Sequence, residues 1–185
     1  MFFDVYGPFE IALDDNGQVT ASQIDLWEEV RVACAKASYT PDTALSVGIG
    51  CYVFGLKYRS AIMPWYVGMT VAQAGFRGEI FERHKLDHYN MALKAKPHMT
   101  PVMFLFPLLT GDQHYATGRK NHVPLIRWVE KMLFGAALAQ NPDCMNKRDT
   151  KFLRRVQVAG VFNHRPPGRE KAAVEAVREM FGTWR

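Results

Sequence analysis

No apolar run in this chain of 185 residues approaches the ~18–20 residues needed to span a bilayer, so no transmembrane helix is expected. The N-terminus carries Asp4 and Glu10 and lacks a basic n-region, so a secretory leader is not expected either. Cysteine is scarce: Cys34, Cys51 and Cys144 are odd in number, far apart and free of any Cys-x-x-Cys pair, which argues against a disulfide framework and against a cysteine zinc site. Low-complexity tracts are missing, and a hydrophobic fraction of 48% excludes a disordered chain. What remains is a cytoplasmic protein with enough sequence for one real core.

Charge is unevenly spread. Residues 1–43 hold eight acids and two bases, residues 44–145 six and eleven, and residues 146–185 four and ten, giving −6, +5 and +6. A basic body with a basic C-terminus suits a polyanion, most simply nucleic acid, although a solvated basic surface without a partner carries similar charge.

The most ordered stretch is 50–70. Residues 51–56 and 65–67 are β-branched and aromatic runs separated by a polar, basic connection and closed by Gly68, the pattern of a β-hairpin with a longer loop. A period of two sets Tyr52, Phe54 and Leu56 on one face and Cys51, Val53 and Gly55 on the other, so Tyr52 is held on a rigid element. Two tyrosines on paired strands can converge on one substrate; aromatic residues also favour strands for packing alone.

Upstream, residues 1–13 alternate as one or two short strands and end in a turn at Asp14-Asp15-Asn16-Gly17. Residues 21–37 read as a helix, with Ser22 as N-cap and an apolar stripe through Ile24, Leu26, Trp27, Val30 and Ala33. Downstream, the spacing predicts a helix over 73–94 with Phe76, Ile80, Phe81 and Leu93 on its apolar side. Arg77, His84 and His88 overlap that side; Arg77 can snorkel over the core to solvent. His84 and His88 at i, i+4 could share a metal, but no third ligand accompanies them.

Residues 101–109 read as a third, central strand, 110–122 as a loop with Arg119 and Lys120, and 123–139 as a second main helix burying Ile126, Val129, Leu133, Ala136 and Ala137. Glu130 lies within roughly 60° of Ile126, Leu133 and Ala137 at 100° per residue, at the margin of the apolar stripe. An unpaired buried carboxylate costs several kcal/mol, so Glu130 needs a cation, a metal or a proton. An ion pair with Arg77 is one way to satisfy it. Asp149 can cap a short helix whose exposed side is nearly all cationic, and a final helix spans 170–181.

The order of these features resembles the GIY-YIG nuclease family. Gly50-Cys51-Tyr52 matches the first motif with cysteine for the usual isoleucine, and Tyr66-Val67-Gly68 matches the second. Arg77, Glu130 and Asn146 fall where the family has its arginine, its metal-binding glutamate and its closing asparagine, over roughly residues 46–150. The spacer between the motifs is longer than in compact members, like members with an inserted loop, and Phe81 stands where the family histidine is usual, so that His84 or Lys85 is left to substitute.

The resemblance implies an α+β fold, an α/β sandwich with a small, mainly antiparallel three-stranded central sheet flanked by helices. A core over 44–150 would carry an N-terminal β/α extension over 1–43 and a basic C-terminal segment over 151–185. It implies a DNA endonuclease with one Mg²⁺ or Mn²⁺ ion. Tyr52 would be the general base, Tyr66 its helper, Arg77 the phosphate-stabilising group and Glu130 the metal ligand, with His84 and Asn146 in support. Arg59, Lys85, Lys147, Arg148, Lys151, Arg154 and Arg155 would grip DNA. A nucleic-acid-binding protein without cleavage is the alternative, and a small α+β protein with an unrelated ligand is a third. Sequence specificity, pathway and the choice between monomer and homodimer stay open.

Overall fold

The computed structural model describes residues 2–35, 44–118 and 120–146, together with the isolated positions 172, 174 and 176. The chain forms two units, 1–145 and 146–185. Of the second, Asn146, Ala172, Val174 and Ala176 are described, the last three in helical conformation. The short cationic helix expected after Asp149, and Lys147, Arg148, Lys151, Arg154 and Arg155, lie outside the described residues.

The first unit is built on one antiparallel sheet. Its strands are β1 (Phe2–Phe3), β2 (Tyr6–Glu10), β3 (Gly50–Tyr58), β4 (Ala61–Thr70) and β5 (Thr100–Leu109). The order is β1-β5-β3-β4, with β2 also on β5 beside β1. The run over 101–109 is therefore central, as its uninterrupted apolar character predicts. The expected three strands are β5, β3 and β4; the N-terminal residues add two more to the same sheet instead of merely covering it.

Helices lie on both faces. Tyr52, Phe54 and Leu56 share a core with Leu26, Val30, Phe76, Ile80, Tyr89 and Leu93, from α1 (Ile24–Ala35), α2 (Gly75–Glu79), α3 (Arg83–Ala95) and the turn between α2 and α3. Ile49, Cys51 and Leu108 pack with Ile126 of α4 (Val123–Gln140) on the other face. The alternation read along 51–56 thus assigns both cores correctly, because a period of two leaves no other choice once each face is covered.

Two expectations are corrected. The connection between the motif strands is not a long loop: β3 runs to Tyr58, β4 starts at Ala61, and only Arg59 and Ser60 intervene. Arg59 takes φ 55°, the left-handed turn conformation. Pro64 is accommodated because β4 is an edge strand and the register shifts between the Phe54–Tyr66 and Gly55–Pro64 pairs, leaving Trp65 as the extra residue. The extra spacing between Tyr52 and Tyr66 is therefore a longer hairpin, not an inserted loop.

The helix expected over 73–94 is two helices. Gly75 sits at φ +60°, where a Cβ would strike the Val47 backbone, and Glu82 is extended at ψ 148°, so the helical path is interrupted at both places. Ile80 and Phe81 keep the apolar spacing going through the break, which hides it from periodicity. Arg77 and His84 consequently do not share a helix face. Among the described residues no helix is long and apolar enough to cross a membrane.

Candidate functional site

The tyrosines of the two motifs meet on one face of the sheet. Tyr52 pairs with Gly68 and Phe54 with Tyr66 across the β3–β4 ladder, so all four point toward α3. The Tyr52 ring lies directly over Gly68, where a Cβ would overlap the phenol. Gly50 is closed off in the same way, since a Cβ there would overlap the Phe106 carbonyl of β5. Each motif glycine therefore has a steric cause: one seats Tyr52, the other lets β5 approach.

The rings form a stack that runs outward from the core. Tyr52 and Tyr66 are 6.2 Å apart at 29°, and His88 of α3 lies on Tyr66 at 5.5 Å and 19°. Tyr52 is fully buried at 0% exposure, while Tyr66 and His88 are half-buried. Tyr89 stands edge-on to Tyr66 and donates its hydroxyl to the Ile80 carbonyl at 3.0 Å. The Tyr52 hydroxyl has no hydrogen-bond partner in the protein, although the Tyr66 and Tyr89 phenols are near enough to influence it.

A buried ion pair lies beneath this stack. Lys85 is 2% exposed, with its Nζ 5.7 Å from the centre of the Tyr52 ring. It donates to the Glu79 carbonyl at 2.7 Å and to the Glu79 carboxylate, with Glu82 Oε2 at 3.5 Å. Three acceptors around one ammonium give its donors partners in the core. Lys85 is thus not the surface DNA contact expected of it.

Burial is the chief cause that pushes Tyr66 up to about 12, with the Glu130 carboxylate adding to it and the neighbouring Tyr52 phenol opposing. Tyr52 and Tyr89 are raised well above the ordinary phenol range, again by burial first, with neighbouring phenols and Glu79 adding. Burial likewise raises the Cys51 thiol, with Glu130 contributing. Glu130 is half-buried on α4, which packs on the Cys51 face of the sheet, and its charge contributes to the raised values of Cys51 on that face and of Tyr66 on the other. The turn after α4 covers the edge of β4: Asn141 Nδ2 donates to the Pro64 carbonyl at 2.8 Å, and Met145 N–H to the Trp65 carbonyl at 2.7 Å.

Other expected site residues of the first unit lie apart from the stack. Arg77 is exposed and lines a cleft with Trp27, Arg31 and Leu45. It is about 200° around α2 from Glu79, the residue that acts on the tyrosines. His84 is 64% exposed and pairs with Glu82 at 3.6 Å, so the histidine that reaches the stack is His88. Arg59 is at the hairpin turn, its guanidinium 5.3 Å from the Tyr58 ring centre. Asn146 begins the second unit.

Glu79, His88 and Tyr89 were not singled out for the site from sequence. Their signal is the helix break at 80–82, which turns α3 so that Lys85, His88 and Tyr89 face the sheet. Among the described residues no group of three or more His, Cys, Asp or Glu side chains is placed to hold a metal by itself. Mg²⁺ commonly takes only one or two carboxylates and keeps its waters, so a single half-buried Glu130 is a donor set it can use. No family model, no curated protein and no solved structure matches this chain.

Proposed function

We propose that the protein is a metal-dependent endonuclease that hydrolyses DNA phosphodiesters at the Tyr52–Tyr66 stack. The observation that carries this reading is the stack itself, with both motif tyrosines on one sheet face and the Glu130 charge acting on the outer one. The resemblance of Gly50-Cys51-Tyr52 and Tyr66-Val67-Gly68 to the GIY-YIG motifs supports it, as does the unpartnered Tyr52 hydroxyl. Buried polar atoms are normally satisfied, so an orphan one calls for a reason other than packing.

Glu130 would hold one Mg²⁺ or Mn²⁺, which supplies charge neutralisation at the phosphate and a more acidic water when bound. Tyr66, half-buried, is the phenol that water can reach. Tyr52 stands behind it and shares its proton. A phenol is protonated at neutral pH and burial raises both of these further, so a base role requires a cationic group beside them, and the Lys85 ammonium lies 5.7 Å from the Tyr52 ring centre. Arg77, facing α1, has no part in this version of the site. Arg59, the cations over 147–155 and the +6 of residues 146–185 would draw the phosphate backbone.

A second reading, a DNA-binding protein that does not cleave, is favoured by the complete burial of Tyr52 and the orientation of Arg77. Plasmid incubated with Mg²⁺ or Mn²⁺ separates the two. Nicking that disappears in Tyr66→Phe and Glu130→Ala supports the enzyme; salt-sensitive binding with no nicking under either metal supports the binder.

A further inference from the structure

Away from the tyrosines, α1, the turn Leu45–Val47 and α2 enclose a cleft of about 340 Å³. That is the size of a pocket for a small organic molecule. Ile24, Trp27, Val30 and Leu45 give it apolar walls. Trp27 is held edge-on against Phe81, with centroids 6.3 Å apart at 84°, so its ring is a fixed surface.

Three charged side chains border the same space: Glu28, Arg31 and Arg77. Two of them compensate each other, since Arg31 donates from Nε to Glu28 at 2.9 Å and from Nη2 at 2.5 Å. Arg77 has no acidic partner among the described residues. The cleft therefore combines an apolar interior with a guanidinium that no described carboxylate pairs, whose planar fork fits an oxyanion in two-point contact.

We propose that this cleft binds a small molecule with a flat apolar body and a single oxyanion, the body against Trp27 and Leu45 and the anion on Arg77. The inference stands apart from the nuclease reading and does not depend on it. It also gives Arg77 a role at the place where its side chain lies.

The test uses two dyes with the same aromatic frame on the full-length protein: 8-anilinonaphthalene-1-sulfonate, and N-phenyl-1-naphthylamine, which lacks the sulfonate. Fluorescence titration is expected to give one saturable site at which the sulfonate binds about tenfold tighter or more than the neutral dye. Arg77→Ala, an exposed change checked for an unaltered melting midpoint, should remove that preference and leave the neutral dye unaffected. Ser46→Trp should block both dyes by filling the space. Equal affinity for the two dyes in the wild type, or a sulfonate preference that survives Arg77→Ala, overturns the proposal. So does dye binding that survives Ser46→Trp and disappears in Trp128→Ala, which would place it on the exposed face of α4.

Discussion

A methyl group at position 68 would occupy the space in which the Tyr52 phenol lies, and that phenol is enclosed by the core on every side. Gly68→Ala should therefore destabilise the protein by about 2 kcal/mol, the range of an overpacked core, and lower the melting midpoint by roughly 4–8 °C. Tyr52→Phe should behave in the opposite way: it removes a buried hydroxyl with no protein partner and so leaves the midpoint unchanged or slightly raised. Beneath them, Glu79→Ala strands the Lys85 ammonium in the core and should cost roughly 3 kcal/mol by chemical denaturation. Adding Lys85→Met should recover most of that loss, since an apolar side chain needs no counter-charge. If the double variant is no more stable than Glu79→Ala, the pair is not what holds Lys85 inside. None of this buried pairing was legible in the sequence, where Lys85 looks like any other surface cation.

Among the elements, the hairpin and the fold class were the most legible and the helix break the least. The period of two along 51–56 assigned Tyr52 and Cys51 to opposite cores because a strand covered on both faces must alternate. Lys57, Arg59, Ser60 and Pro64 resemble loop residues, yet they belong to a tight hairpin. The sequence does not announce that β4 is an edge strand, and only an edge with a bulge tolerates Pro64. From α2 into α3 the apolar residues at 76, 80 and 81 continue a single helical period toward a break made by the extended backbone at Glu82. That break brings His88 and Tyr89 to the tyrosines, whereas Arg77 is kept from them by its position about 200° around α2 from Glu79. The edge of β4 is closed by Asn141, whose side chain bonds the Pro64 carbonyl and the Asp143 N–H. Asn141→Ala should thus cost about 1–2 kcal/mol in thermal denaturation and speed amide exchange along β4 first.

For the molecule as a whole, the phenols of Tyr52, Tyr66 and Tyr89 contribute to the response to alkali. Tyr66 is raised to about 12, and Tyr52 and Tyr89 are raised well above the ordinary value. The unfolded chain loses these protons near pH 10, whereas the folded one keeps them, so stability is fully present below about pH 10 and falls as pH climbs through the folded values. Absorbance at the phenolate band should show three of the seven tyrosines titrating late and together with loss of structure; reversible titration of all seven near pH 10 in the native protein would contradict the raised values. The two-faced sheet was legible in the period of two along 51–56, and the basic character of residues 44–185 in composition. Glu130 was legible only as an awkward placement, a carboxylate at an apolar margin, and its electrostatic contribution at Tyr66 required the fold. The most direct measurement is plasmid nicking with Mg²⁺ by the wild type, Tyr52→Phe and Glu130→Ala, run beside melting curves. The account predicts cleavage by the wild type alone, with Tyr52→Phe folded, as stable as the wild type and inactive. Undiminished cleavage by Glu130→Ala, or by a well-folded Tyr52→Phe, would contradict it.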